Sequence, residues 1–261
     1  MLSLPDYPTA FWLTAVLAVI LVGIAKAGFG GGVGVIATPL LALTIPVSEA
    51  AALLLPLLIL IDLLSIRFYW RRYHQHSLKI LLPFALVGIG VGALLFSTFS
   101  DNERILKMGI GLLSIAFVAW RAGQNMVLGA LAERLLSDNT GRALGVLAGF
   151  SSTLAHAGGP PVAIYMLPQR LPRDLFVGTT VLFFTVVNLV KLVPYGALGL
   201  LQVGNLLTIL ILSPLCYLGV RLGLYLNRRF TDIWFNRVIY TLLLLTGIEL
   251  ILGQSMVSLI F

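Results

Sequence analysis

Apolar stretches at roughly 11–45, 48–69, 78–98, 104–121, 142–168, 173–193, 200–226 and 235–253 take up most of the 261-residue chain, and polar residues mark their ends. A run of about 18 or more apolar residues is the length that crosses a bilayer as a helix. A soluble domain carries about a quarter of its residues as charges. Here there are 17 Lys and Arg against 10 Asp and Glu, with a mean hydropathy of +1.02. The chain is therefore expected to be an all-α polytopic membrane protein, which excludes soluble enzyme domains and extramembranous modules. Phe11 to Ile24 followed by Ala25-Lys26-Ala27 imitates a cleaved signal. The segment before it holds Asp6 and no basic residue, so it reads as mature membrane structure. The single Cys216 allows neither an internal disulfide nor a metal-ligand pair.

Two stretches are broken. The first contains Gly28-Phe29-Gly30-Gly31-Gly32-Val33-Gly34, and the fifth contains His156-Ala157-Gly158-Gly159-Pro160-Pro161. Gly costs about 1 kcal/mol and Pro about 3 kcal/mol against Ala inside a helix, so neither break continues a regular one. Setting Ile45-Pro46 on Leu171-Pro172 aligns the halves at an offset of 126 residues, which also sets Asp62 on Asn188. Each half then reads as a broken segment or re-entrant hairpin followed by three transmembrane helices. The layout is a first membrane repeat at 1–121, a cytoplasmic connection at 122–141 and a second repeat at 142–261.

Basic residues favour cytoplasmic loops. Arg67, Arg71, Arg72 and Lys79 cluster in one loop and Arg221, Arg228, Arg229 and Arg237 surround another, whereas 194–204 is uncharged and the region of Asp101, Glu103, Arg104 and Lys107 is balanced. Both basic loops lie on one side only if each broken segment leaves the membrane where it entered. The second half is then upside down relative to the first, and both termini lie outside the cytoplasm. On this reading the net charge of +7 is an orientation signal and not a nucleic-acid surface. Inverted repeats with matching broken segments are the architecture of secondary transporters, with the substrate held near the midplane where the breaks meet.

Candidate substrate-binding residues follow from the cost of polar groups in hydrocarbon. Backbone N–H groups at Gly30, Gly31, Gly32, Val33 and Gly34, opening a half-helix from about Val35 to Thr44, need acceptors that a small anion can supply, and Gly158 and Gly159 repeat the arrangement. The match of Gly32 to Ala37 to a dinucleotide fingerprint lacks the strand that gives it meaning. Lys26, Asp62, Lys191 and Glu249 are charged groups within the spans, and such groups are functional candidates by default. Thr185, Asn188 and Lys191 share one helix face, matched by Asp62 and Ser65 in the first half. Lys26 and Lys191 are candidate anion ligands, and Asp62, able to pair with either lysine, serves coupling or charge balance. His156, beside Ser151, Ser152 and Thr153, is an anion donor or proton carrier. Thr38, Thr179 and Thr180 are further hydroxyl donors. Each has a plain structural alternative: snorkelling for Lys26, close packing for the glycines, back-bonding to the helix for the threonines. His74-Gln75-His76 reads as a solvated loop; no metal and no cofactor are expected.

The glycine-rich break followed by Thr38-Pro39-Leu40-Leu41, the later Gly158-Gly159-Pro160-Pro161, and Val177-Gly178-Thr179-Thr180 with Asn188 resemble the TauE/SafE family of bacterial anion permeases over nearly the whole chain. The resemblance implies an inner-membrane exporter of sulfite or a small organosulfonate, and the family's motif glycines fall on Gly30, Gly31, Gly32, Gly158 and Gly159. The expected partners are the lipid bilayer and a small anion, with a homodimer compatible and no nucleic acid. A proton- or cation-coupled importer leaning on Asp62 and Glu49, and an intramembrane enzyme using Ser151 or Ser152 with His156, are the competing readings.

Overall fold

The computed structural model describes residues 7–29, 34–99, 102–131, 136–201, 206–229 and 232–253. Gly30, Gly31, Gly32 and Val33, together with Asp6 and Asp101, lie outside the described residues. The described chain forms helices α1 (Thr9–Phe29), α2 (Ala37–Leu41), α3 (Val47–Ile66), α4 (Gln75–Phe99), α5 (Glu103–Leu131), α6 (Asp138–Ala155), α7 (Gly159–Met166), α8 (Arg173–Ala197), α9 (Leu206–Arg229) and α10 (Asp232–Leu252). Short 3-10 turns at Gly34–Ile36 and Leu167–Gln169 precede α2 and follow α7. No strand occurs among the described residues. At least five helices, α1, α3, α4, α8 and α9, contain stretches long and apolar enough to cross a membrane. Leu13, Leu94 and Val193 are 69–73% exposed on three of them, a surface suited to lipid. The protein is an all-helical, multi-pass membrane protein.

Both breaks turn the chain back. Past the second, a Cβ placed on Gly158 would lie 2.7 Å from the Ala148 carbonyl oxygen, and one on Gly141 would lie 2.5 Å from the ring of Tyr165. The end of α7 thus returns to the start of α6. At the first break, the Thr14 and Thr44 hydroxyls meet at 3.3 Å, so the segment after α2 returns to the start of α1. The returning helix α2 has five residues, against the expected half-helix from about Val35 to Thr44. Beyond Leu41 the chain makes a turn closed by bonds from the Thr44 amide and hydroxyl to the Leu41 carbonyl. At 1.5 Å per residue, neither α2 nor the eight-residue α7 is long enough to cross hydrocarbon. Helix boundaries also differ from hydropathy elsewhere: α5 runs on to Leu131, α6 starts at Asp138, and α8 continues through Pro194 to Ala197.

Packing repeats under the 126-residue offset. α1 packs on α9 while its counterpart α6 packs on α4; α3 packs on α8, and α5 on α10. Glycine makes the closest of these contacts: a Cβ on Gly219 would lie 3.0 Å from the Ile20 carbonyl oxygen, and one on Gly88 would lie 2.0 Å from that of Val146. Small residues let membrane helices approach to backbone contact, where packing and not hydrophobicity holds them. Gly88, Gly92, Gly145, Gly149, Gly219 and Gly223 serve this purpose. Gly149→Ala, whose Cβ would come within 1.9 Å of the Ala85 carbonyl oxygen, is expected to cost about 1–3 kcal/mol as overpacking. Gly109→Ala, with nothing within 4 Å, should be neutral or slightly stabilising. Thermal unfolding in detergent compares the two.

The two ends of the bundle differ. At one end Tyr7 donates to Glu49, Glu103 accepts from the amide of Val47 at 3.0 Å, and Gly253 abuts Arg104. Residues 7 and 253 therefore lie at the same end. At the other end Arg72 pairs with Asp174, His76 meets Asp138 at 3.1 Å, and Ser77 donates to Gln169 at 2.9 Å. Arg67, Arg71 and Arg173 flank these contacts in sequence, so the basic residues gather at this second end.

Candidate functional site

Helices α3 and α8 run antiparallel and cross where Asn188 Nδ2 donates to Asp62 Oδ2 at 2.7 Å. The two residues are 126 positions apart, the same offset that aligns the two breaks in sequence. Lys26, in the last turn of α1, closes the first half of the site as an ion pair with Asp62 Oδ1 at 2.6 Å. Its Nζ also lies 5.3 Å from the ring centroid of Phe184, which in turn crowds Gly158. A cation is favoured at a helix C-terminus, where the last carbonyls lack intrahelical donors. Lys26, Asp62 and Asn188 are all buried. Asp62 therefore pairs with Lys26 and not with Lys191.

Lys191 turns to the second break. Its Nζ lies 2.9 Å from the Ser152 carbonyl oxygen, 3.1 Å from the Ser152 hydroxyl and 2.7 Å from His156 Nδ1. Three contacts match the three N–H donors of an ammonium. His156 terminates α6 in the left-handed region, with φ 52°, a conformation that non-glycine residues seldom adopt. Its amide and that of Ala157 bond back to the carbonyls of Ser152 and Ser151, and its Nε2 lies 2.9 Å from the Ala51 carbonyl oxygen on α3. A carbonyl can only accept, so Nε2 carries the proton and Nδ1 accepts from Lys191. The imidazole is thereby held in one tautomer between the halves.

Lys26, Asp62, Asn188, Lys191 and His156 are thus all buried and linked by contacts along α3, α8 and the two breaks. Glu249, which balances the intramembrane charge on paper, lies partly exposed on α10. Among the described residues, two lysines therefore face one aspartate. Gly158 and Gly159 are buried beside the cluster at the start of α7, whose first turn contains Pro160 and Pro161. Gly34 opens the 3-10 turn after the first break. The hydroxyls of Ser65, Thr179, Thr180 and Thr185 bond to carbonyls three or four residues back, whereas that of Thr38 is buried without a partner. Ser151 donates to the carbonyls of Leu147 and Ala157. Lys191 and Ala51 occupy both nitrogens of His156, so neither Ser151 nor Ser152 is hydrogen-bonded to its ring.

Sequence inspection passes over two tyrosines. Tyr69 donates to the Ala27 carbonyl at 2.7 Å and Tyr195 to that of Thr153 at 2.8 Å. The two donors are 126 residues apart and so are the two acceptors, so one hydrogen bond is made twice, each time onto the last turn of a broken helix. The offset was the signal that could have found them. Beside Tyr69, a cavity of about 410 Å³ is lined by Phe68, Arg72, Asp174, Arg221, Tyr225 and Asn227, among others, and Asn227 donates to the Gly28 carbonyl. The Arg72–Asp174 pair at its rim is more than half exposed. Exposed pairs contribute little, so Asp174→Asn should change unfolding stability by no more than ~1 kcal/mol.

No curated protein and no solved structure matches the chain. The model of the family described as "Sulfite exporter TauE/SafE" matches residues 15–250, a span that contains both breaks, the crossing of α3 and α8, and every residue of the buried cluster. The chain belongs to the sulfite exporter TauE/SafE family of membrane transporters.

Proposed function

We propose that the protein exports a small sulfur oxyanion, sulfite or an organosulfonate, across the bacterial inner membrane, by alternating access to a midplane site between the two glycine-rich breaks. The observation that carries this reading is the buried cluster at the crossing of two equivalent helices, with two lysines and one carboxylate. With both lysines protonated, one positive charge lacks a counterion, and an uncompensated charge in a low-dielectric interior draws an anion. Lys26, Lys191, Asn188 and His156 bind or tune it, and Asp62 holds Lys26 in place. Backbone groups of Gly158 and Gly159, and those of Gly30, Gly31, Gly32, Val33 and Gly34 in the first break, supply further donors on this reading.

The antiparallel crossing of α3 and α8, the repeated tyrosine bond and the doubling back of both broken segments support an inverted repeat. The basic end is then cytoplasmic, with both termini outside. Outward movement of one negative charge down 100 mV, inside negative, releases about 2.3 kcal/mol, so export needs no other energy source. A cation importer built on Asp62 finds less support, because Lys26 and Asn188 already occupy its carboxylate.

The test is ligand-dependent stability. Thermal unfolding of the detergent-solubilised protein should rise with sulfite or methanesulfonate but not with sodium chloride at equal ionic strength. Saturation at one hundred times Kd corresponds to about 2.7 kcal/mol. No shift with any sulfur oxyanion would count against the proposed ligand.

A further inference from the structure

Each repeated tyrosine sits in a repeated apolar cluster. Tyr195, fully buried, packs with Ala51 and Leu55 of α3 and with Leu192. Tyr69 packs with Val177 and Val181 of α8 and with Ile66. Adding 126 to Ala51, Leu55, Ile66 and Tyr69 gives Val177, Val181, Leu192 and Tyr195, so the two clusters are the same construction at opposite ends of the α3–α8 crossing. Between them lies the Lys26–Asp62–Asn188 and Lys191–His156 cluster. Tyr195 forms its cover on one side, with its ring 6.2 Å from that of His156 and 6.0 Å from Lys191 Nζ. On the other side Tyr69 lines the cavity of about 410 Å³, and its bond to Ala27 reaches the residue next to Lys26.

We infer that Tyr69 and Tyr195 are the paired gate residues of an occluded state, each holding one path to the buried cluster shut through its bond to the last turn of a broken helix. The inference rests on the alternating-access reading and deepens it. Both bonds are made, so on this reading both gates are shut. Tyr69 lines the cavity at the basic end and bonds to the residue next to Lys26, while Tyr195 is fully buried with Phe96, whose ring centroid lies 6.3 Å away. Opening at either end requires its tyrosine to release a carbonyl. Removing one hydroxyl should therefore favour opening at that end alone.

The experiment places a single cysteine at each gate, Val181→Cys beside Tyr69 and Leu55→Cys beside Tyr195, in a Cys216→Ser background, and follows labelling by a water-soluble maleimide. Tyr69→Phe should raise labelling at 181 about fivefold, the scale of one net hydrogen bond, and leave labelling at 55 unchanged or lower. Tyr195→Phe should do the reverse. Ile66→Ala and Leu192→Ala loosen one cluster each without touching a hydroxyl and should bias labelling as the neighbouring tyrosine does, which keeps the test open if a tyrosine variant fails to fold. A rise at both probes with every variant, or no change with any, would overturn the gate assignment. Reciprocal labelling in a protein that moves no anion would sustain the gates and remove the proposed cargo; anion flux without reciprocal labelling would do the opposite.

Discussion

Asp62→Asn should abolish transport and destabilise the folded protein by about 3–5 kcal/mol, the usual cost of leaving one member of a buried ion pair alone. The pair it breaks is almost wholly enclosed, with the Lys26 side chain 6% exposed and that of Asp62 0%. The amide that replaces the carboxylate can still meet Asn188 but cannot neutralise Lys26. Adding Lys26→Met should recover most of the lost stability, because removing both charges also removes the desolvation they carry. Denaturant or thermal unfolding of the single and double variants in detergent measures the difference. If the double variant were no more stable than Asp62→Asn alone, the pair would not be what holds α1 against α3 at this point.

Lys191→Met should behave differently. Its Nζ meets only neutral partners, the Ser152 carbonyl, the Ser152 hydroxyl and His156 Nδ1. Methionine keeps much of the side-chain volume and takes away the amine that, once protonated, would hold the anion. The variant should fold with a stability change of about 1–3 kcal/mol, the cost of leaving polar partners unsatisfied, while anion flux falls at least a hundredfold. A large loss of stability with flux intact would make Lys191 a structural strut. Comparing this variant with Asp62→Asn separates the charge that binds from the charge that supports.

Much of the architecture was legible in the residues. Hydropathy locates at least five spans, the Gly and Pro clusters mark where the helices break, and the 126-residue register sets Asp62 against Asn188, which the structure joins. The partner of Asp62 was not legible. Both lysines lie within reach of the crossing, and only the return path of the second break, with its left-handed His156, aims Lys191 at Ser152 and leaves Lys26 for the aspartate. The shortness of α2 was hidden as well, because apolar residues such as Leu43 read alike in a turn and a helix. The tyrosine bonds end on backbone carbonyls, which have no sequence signature, so the repeat offset was their only trace. The threonines had two readings, donor to an oxyanion or back-bonding to the helix, and Thr179, Thr180 and Thr185 take the second.

The most direct measurement is efflux from proteoliposomes loaded with sulfite or an organosulfonate, with sulfate and thiosulfate as competitors, for the unaltered protein and for Lys191→Met under an inside-negative potential. Saturable efflux of sulfite or the sulfonate, accelerated by the potential and lost in Lys191→Met, is the expected result. No anion efflux from the unaltered protein, or efflux that Lys191→Met leaves unchanged, would contradict the claim that the excess positive charge of the buried cluster binds the transported anion.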